Sequence, residues 1–135
     1  MPRDVVVRTV EGERFRNGMT VGPHALAADE GAEVGGGDAG PAPFELLMAA
    51  LGACTSMTIR MYAEKKGWKV EGVQVDLSHE ALDVKEGPRV RLRRDIRIRG
   101  ALDAEQRRRL LEIAERCPVH RVLTEGVVMA TREVE

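Results

Sequence analysis

Residues 44–66 (FELLMAALGACTSMTIRMYAEKK) are apolar at most positions, and Leu47, Leu51, Cys54, Thr58 and Met61 recur at alternating spacings of three and four. That period predicts a helix, and one apolar nearly all the way round belongs in a domain core or a membrane. Thr55, Ser56, Thr58 and Arg60 interrupt the apolar run well short of the roughly 20 residues a bilayer crossing needs. Cys54 is therefore expected on a central core helix. Pro43 suits the first turn, where a missing N–H costs nothing, and Gly67 suits the C-cap, with Trp68 covering the end. Gly52, Ala49, Ala50 and Ala53 are small enough to let another backbone approach beside the cysteine.

Before this helix the pattern is that of short strands. Val5, Val6, Val7 and Val10 form a β-branched run that ends at Glu11-Gly12; Glu13 to Arg16 resumes it, and Asn17-Gly18 reads as a hairpin turn. Two or three antiparallel strands are expected within 1–28, with Arg14 and Arg16 on one side of the second and Phe15 on the other. His24 follows Pro23 at a strand start. Residues 29–43 are rich in Gly and Pro and read as a mobile loop; Gly35-Gly36-Gly37 lacks the Lys-Ser/Thr of a phosphate-binding loop.

After the helix, residues 70–99 alternate. Val73, Val75, Leu77 and His79 oppose Gln74, Asp76, Ser78 and Glu80, and Val90, Leu92, Ile96 and Ile98 oppose a row of arginines. A long hairpin with one buried face follows, its arginines paired across the strands with Asp76 and Glu80. Asp103 with Gln106 forms a capping box for a helix over 103–116 that buries Leu110, Leu111, Ile113 and Ala114. Residues 117–135 carry a second cysteine and a closing strand, Val127 to Val134. The order of elements is that of an α+β domain.

At 135 residues the chain is expected to be one domain. Its 21 basic and 22 acidic side chains nearly cancel, and two Phe, one Tyr and one Trp leave little for stacking on bases, so no nucleic-acid or membrane partner is expected. Early charges in MPRDVVVRTVEGERF leave no signal-peptide pattern, so a cytoplasmic location is expected, where two cysteines do not form a structural disulfide. Pro118 fits the first position of a new helical turn, which sets Cys117 at its N-cap, where free N–H groups favour thiolate; His120 lies one turn on. Three readings of the cysteines remain open on the residues: small core hydrophobes, a zinc site with His120, or an attacking and resolving pair that closes to a disulfide.

Gly40-Pro41-x-Pro43-Phe44-Glu45-Leu46-Leu47-x-Ala49-Ala50-Leu51-Gly52-Ala53-Cys54, followed late by Cys117-Pro118-Val119-His120, resembles the OsmC/Ohr family of osmotically inducible and organic-hydroperoxide-resistance proteins. The resemblance extends over the order of elements along the whole chain. It implies an OsmC-like fold, an intertwined homodimer with the two central helices packed together, and a thiol-dependent peroxidase acting on organic hydroperoxides. By position Cys54 is the attacking thiol and Cys117 the resolving one. The family's arginine, which holds the thiolate, corresponds to Arg16, with Arg14 in reserve and His120 as an auxiliary. Its glutamate directly follows the motif's proline; here Phe44 holds that place and Glu45 comes one residue, about 100° of helix, later. Leu47, Met48, Leu51 and Met57 would wall a pocket favouring alkyl peroxides. No cofactor or metal is implied, and the reductant is a dithiol such as a lipoyl group. The alternative is a non-catalytic dimer that binds a small hydrophobic or thiol-reactive ligand, or a redox sensor.

Overall fold

The computed structural model describes residues 3–134, and the chain divides into two compact units, Met1–Leu47 and Met48–Glu135. In the first unit β1 (Val5–Thr9), β2 (Asn17–Val21) and β3 (His24–Ala28) form an antiparallel sheet in that order. The predicted turn at Asn17-Gly18 is not there: these residues open β2, opposite Ala28 and Ala27. The chain reverses instead at Glu11-Gly12 and at Gly22-Pro23, where Gly12 and Gly22 take φ of 82° and 55°. Asn-Gly permits a turn without requiring one, and the turns go where positive φ is needed. Arg14, Phe15 and Arg16 consequently lie in the β1–β2 connection and on neither face of a strand.

The glycine-rich segment is folded, against the mobility its composition predicts. Asp29 is only 3% exposed, and its carboxylate accepts the N–H groups of Glu30 (2.8 Å) and Ala39 (3.1 Å). A short 3-10 turn spans Ala32–Val34, and the amides of Gly36 and Asp38 donate back to the carbonyls of Gly31 and Glu30. A Cβ on Gly36 would lie 2.1 Å from the Glu30 carbonyl oxygen, so glycine here permits close backbone packing.

Helix α1 (Pro43–Lys66) leads into the second unit, where a hairpin of β4 (Val70–Ala81) and β5 (Val90–Gly100) is followed by α2 (Ala104–Ala114) and α3 (Pro118–Glu125). Gly67 closes α1 at φ 72°, with Trp68 N–H bonded to the Ala63 carbonyl. The hairpin runs in the register Val75↔Ile96, Leu77↔Arg94 and His79↔Leu92, with a bulge between Val70 and Gly72. Its outward arginines pair as expected: Arg97 with Asp76 and Arg91 with Glu80, both at 2.9 Å. The Asp103–Gln106 capping box is complete.

Ile59 and Ala63 of α1 pack on Leu110 and Ala114 of α2, with Val73, Ile96, Ile98 and Trp68 closing around them. Burying a side chain such as Ile59 contributes about 1.5–3 kcal/mol. The face of α1 turned into this core differs from the predicted stripe. Leu51, Gly52, Thr55, Ile59 and Ala63 are buried, whereas Met61 is 62% exposed. A sequence apolar all round carries no directional signal, and a threonine can join the buried face by bonding its own helix, as the Thr55 hydroxyl does to the Leu51 carbonyl at 2.7 Å. Leu111, expected inside, is 49% exposed.

The polar residues from Thr55 to Arg60 predict an apolar run too short for a bilayer, yet α1 is long and apolar enough by length and composition, with mean hydropathy 1.3 over 18 residues. Within that window 28% is buried, the face that packs on the hairpin and α2. The closing strand expected from Val127 to Val134 is not formed among the described residues: Val128 and Met129 are 101% and 84% exposed. A strand exists only where its N–H and C=O groups find a ladder, and no other strand pairs with this segment.

Candidate active site

Cys117 is the N-cap of α3, followed by Pro118 at the first helical position, as the sequence predicts. It is fully buried, and its sulfur accepts the His120 N–H at 3.5 Å. Cys54, half-buried on α1, lies close enough to Cys117, the Val119 amide and the Thr58 hydroxyl for all three to act on its thiol. The amides of Val119 and His120 are two of the N–H groups that the start of a helix leaves unpaired. The free amides at the start of α3 therefore face this pair of cysteines.

Burial, then the shared hydrogen bond and the charge of Cys117, push the Cys54 thiol above its ordinary value, while the Val119 amide and the Thr58 hydroxyl draw it down. In the reduced pair Cys54 thus holds its proton. Both cysteines are free. The fold brings the two thiols close enough for Cys117 to act on Cys54.

A charged group also belongs to this site and has no counterpart among the residues expected from the sequence. Arg94 lies on the inward face of β5, between Leu92 and Ile96, while its neighbours Arg93 and Asp95 face out. Its Nη1 donates to Thr55 Oγ1 at 2.9 Å and its Nη2 lies 3.0 Å from His120 Nδ1. A guanidinium only donates, so Nδ1 accepts and the imidazole proton sits on Nε2, 3.4 Å from Glu115 Oε2. The signal was present in the alternation of the strand: an arginine at an apolar-face position has to find partners inside.

The other predicted residues have these places. In the first unit Arg16 Nε is 4.0 Å from Asp29 Oδ2 and Nη2 is 3.7 Å from Glu13 Oε1. Arg16 Nε is buried without a hydrogen-bond partner among the described residues. The Ala39 amide, with those of Glu30 and Gly37 and the Arg16 charge, holds the Asp29 carboxyl below the usual carboxylate range. Arg14 stacks over the Phe15 ring, 4.7 Å from its centre. Glu45 accepts the Ala42 N–H at 2.8 Å, the bond a carboxylate makes at the start of a helix. Leu47 and Met48 are half-buried on α1, Leu51 is buried, and Met57 is 59% exposed.

The family described as OsmC-like protein matches residues 35–132. No curated protein sequence matches the chain. Among solved structures the chain resembles an OsmC-like protein from Mycoplasma pneumoniae (TM-score 0.73, 15% identity, 92% of this chain and 88% of that one). It also resembles a protein from Psychrobacter arcticus described as an osmotic stress induced and detoxification response protein (0.71, 20%, 90% and 86%). A third is an organic hydroperoxide resistance protein OsmC from Legionella pneumophila (0.67, 20%, 91% and 89%). At these identities the likeness concerns the fold.

Proposed function

Since the chain belongs to the OsmC-like protein family, we propose that it is a thiol-dependent peroxidase that reduces organic hydroperoxides through Cys54 and Cys117. The observation that carries this reading is that the fold brings Cys54 close to Cys117, whose sulfur caps the N-terminus of α3. Cys54, the more exposed of the two, attacks the terminal peroxide oxygen as thiolate: an S–O bond forms, the O–O bond breaks, and the alkoxide leaves and takes up a proton as an alcohol. Cys117 then attacks the sulfenic acid; the S–S bond forms and hydroxide leaves with the Cys117 proton as water. A dithiol reductant, of which a lipoyl group is one, returns both thiols and is itself oxidised to a disulfide.

Because Cys54 holds its proton in the reduced pair, a cation has to favour its thiolate. Arg16 is the proposed residue and Arg14 its reserve; Arg16 Nε, 4.0 Å from Asp29 Oδ2, makes no hydrogen bond among the described residues and so has a donor to offer. Glu45 is the proposed supporting carboxylate, although its bond to the Ala42 amide already engages one oxygen. Apolar side chains along α1 (Leu47, Met48, Leu51, Met57) favour alkyl peroxides over hydrogen peroxide, since buried apolar area helps only the former.

A homodimer, in the cytoplasm, is part of this reading. Met57 and Met61 on α1 are 59% and 62% exposed, apolar side chains that a partner subunit would cover. Sedimentation that finds only monomer at micromolar concentration removes this part. The raised Cys54 thiol favours a second reading, a non-catalytic dimer that binds a small hydrophobic or thiol-reactive ligand or senses redox state.

Loss of cumene hydroperoxide with dihydrolipoamide as reductant separates the two. The expected result is that Cys54→Ser abolishes turnover and Cys117→Ser completes one turnover and then over-oxidises. Equal residual activity in both variants and the wild type refutes the peroxidase.

A further inference from the structure

We propose that Arg94 is a positioning residue for the thiol pair: its guanidinium braces α1 at Thr55 to the first turn of α3 at His120 and so holds Cys117 at closing distance from Cys54. Thr55 follows Cys54 directly, and the His120 amide bonds Cys117 Sγ. Each end of the brace is thus one short link from a sulfur. Thr55 gives its hydroxyl hydrogen to the Leu51 carbonyl, which leaves its oxygen to accept from Arg94. The two contacts reach 39 and 26 residues along the chain, and a planar guanidinium fixes both directions at once.

The brace matters because the body of α3 is not packed into the core: none of its eight residues is fully buried, so beyond the buried N-cap Cys117 its first turn depends on polar ties. Arg94 also sets what His120 does. With Nδ1 engaged by the guanidinium and Nε2–H facing Glu115, the imidazole is not available as a base toward Cys117. When Cys117 closes on a Cys54 sulfenic acid, the thiol proton therefore leaves with the hydroxide as water. For that step the inference rests on the peroxidase reading; the closure geometry itself does not.

The test is the rate of Cys54–Cys117 disulfide formation with diamide, which takes up both thiol hydrogens and needs no peroxide, followed by alkylation and mass spectrometry. Misplacing a reacting group by about an ångström slows closure roughly 10–100-fold, and Arg94→Met is expected to fall in that range. Arg94→Lys, with a point charge that reaches one partner, should recover part of the rate, and Thr55→Val should lose part of it. Imidazole ¹⁵N NMR should find His120 as the Nε2–H tautomer in the wild type and lose that preference in Arg94→Met, a change that a purely structural role would not produce. Wild-type closure in a folded Arg94→Met, or an unaltered tautomer, overturns the proposal. Should that variant not fold, wild-type closure in both Arg94→Lys and Thr55→Val overturns it. Normal diamide closure without peroxide turnover would instead refute the peroxidase and leave the brace standing.

Discussion

Gly52 lies two residues before Cys54 on the buried face of α1, and β4 occupies the space its side chain would take. A Cβ there would lie 2.7 Å from Leu77 Cδ1 and 4.0 Å from Val75 Cβ. In an open helix, Gly→Ala stabilises by about 1 kcal/mol. Here the new carbon sits about 1 Å inside the best carbon–carbon separation. Turning Leu77 off its rotamer costs about 0.5–1.5 kcal/mol, and overpacking that shifts the backbone about 1–3 kcal/mol. Gly52→Ala is therefore expected to lie from neutral to about 2 kcal/mol destabilising. Gly52→Val loses about 0.5 kcal/mol of helix propensity relative to alanine and adds two methyls where β4 already packs, for a total near 2–4 kcal/mol. Urea unfolding of the reduced protein measures both, the shift in midpoint being interpretable only at unchanged slope. Because Leu77 pairs with Arg94 across the hairpin, the valine variant should also slow disulfide closure. A Gly52→Val protein within about 0.5 kcal/mol of the wild type, a change typical of an open surface site, would refute the close approach of α1 to β4.

Two further outcomes follow from the electrostatics. Cys117→Ala removes the hydrogen bond and the charge that raise the Cys54 thiol, so iodoacetamide should alkylate Cys54 faster at pH 8 and with a lower apparent pKa; an unchanged or higher value refutes the shared-proton arrangement. The Asp29 carboxyl is lowered in the fold from an ordinary value of 3.8, so its contribution is complete above that value and is lost as pH falls through the folded one. Hydrogen exchange at the Ala39 amide should therefore accelerate below about pH 4 beyond its intrinsic pH dependence, and Asp29→Asn should lack that acid step; identical profiles refute the anchoring.

The periodic elements were legible in the sequence because their signals are redundant. The hairpin has twelve and eleven residues of alternation, and α2 has both a capping box and an apolar side. Cys117 at an N-cap followed from Pro118 alone, since proline tolerates few other helical positions. The failures have a common cause in that each depended on a partner rather than on local preference. Asn17-Gly18 could turn or extend, and pairing with β3 made it extend. The glycine-rich loop could be loose, but one buried carboxylate, Asp29, gathers its amides. Val127 to Val134 has strand composition and no strand to pair with. In the site, the cysteines stood out from their surroundings in sequence, whereas Arg94 was hidden among seven arginines and lysines of the hairpin strands and their connection. Only its place in the alternation set it apart, and its partners, Thr55 and His120, are distant along the chain.

An N-cap is ordinarily passive: it satisfies an amide and takes no part in chemistry. On the peroxidase reading proposed above, the capping atom of α3 is itself a reactant. Whenever Cys117 enters a bond with another sulfur, the electron pair that receives the His120 amide is drawn on by a new neighbour, and the start of the helix is loosened or re-formed with the oxidation state. Redox state and helix fraying are then one variable, so that the end of α3 can report, to anything that reads local order, whether the pair has fired.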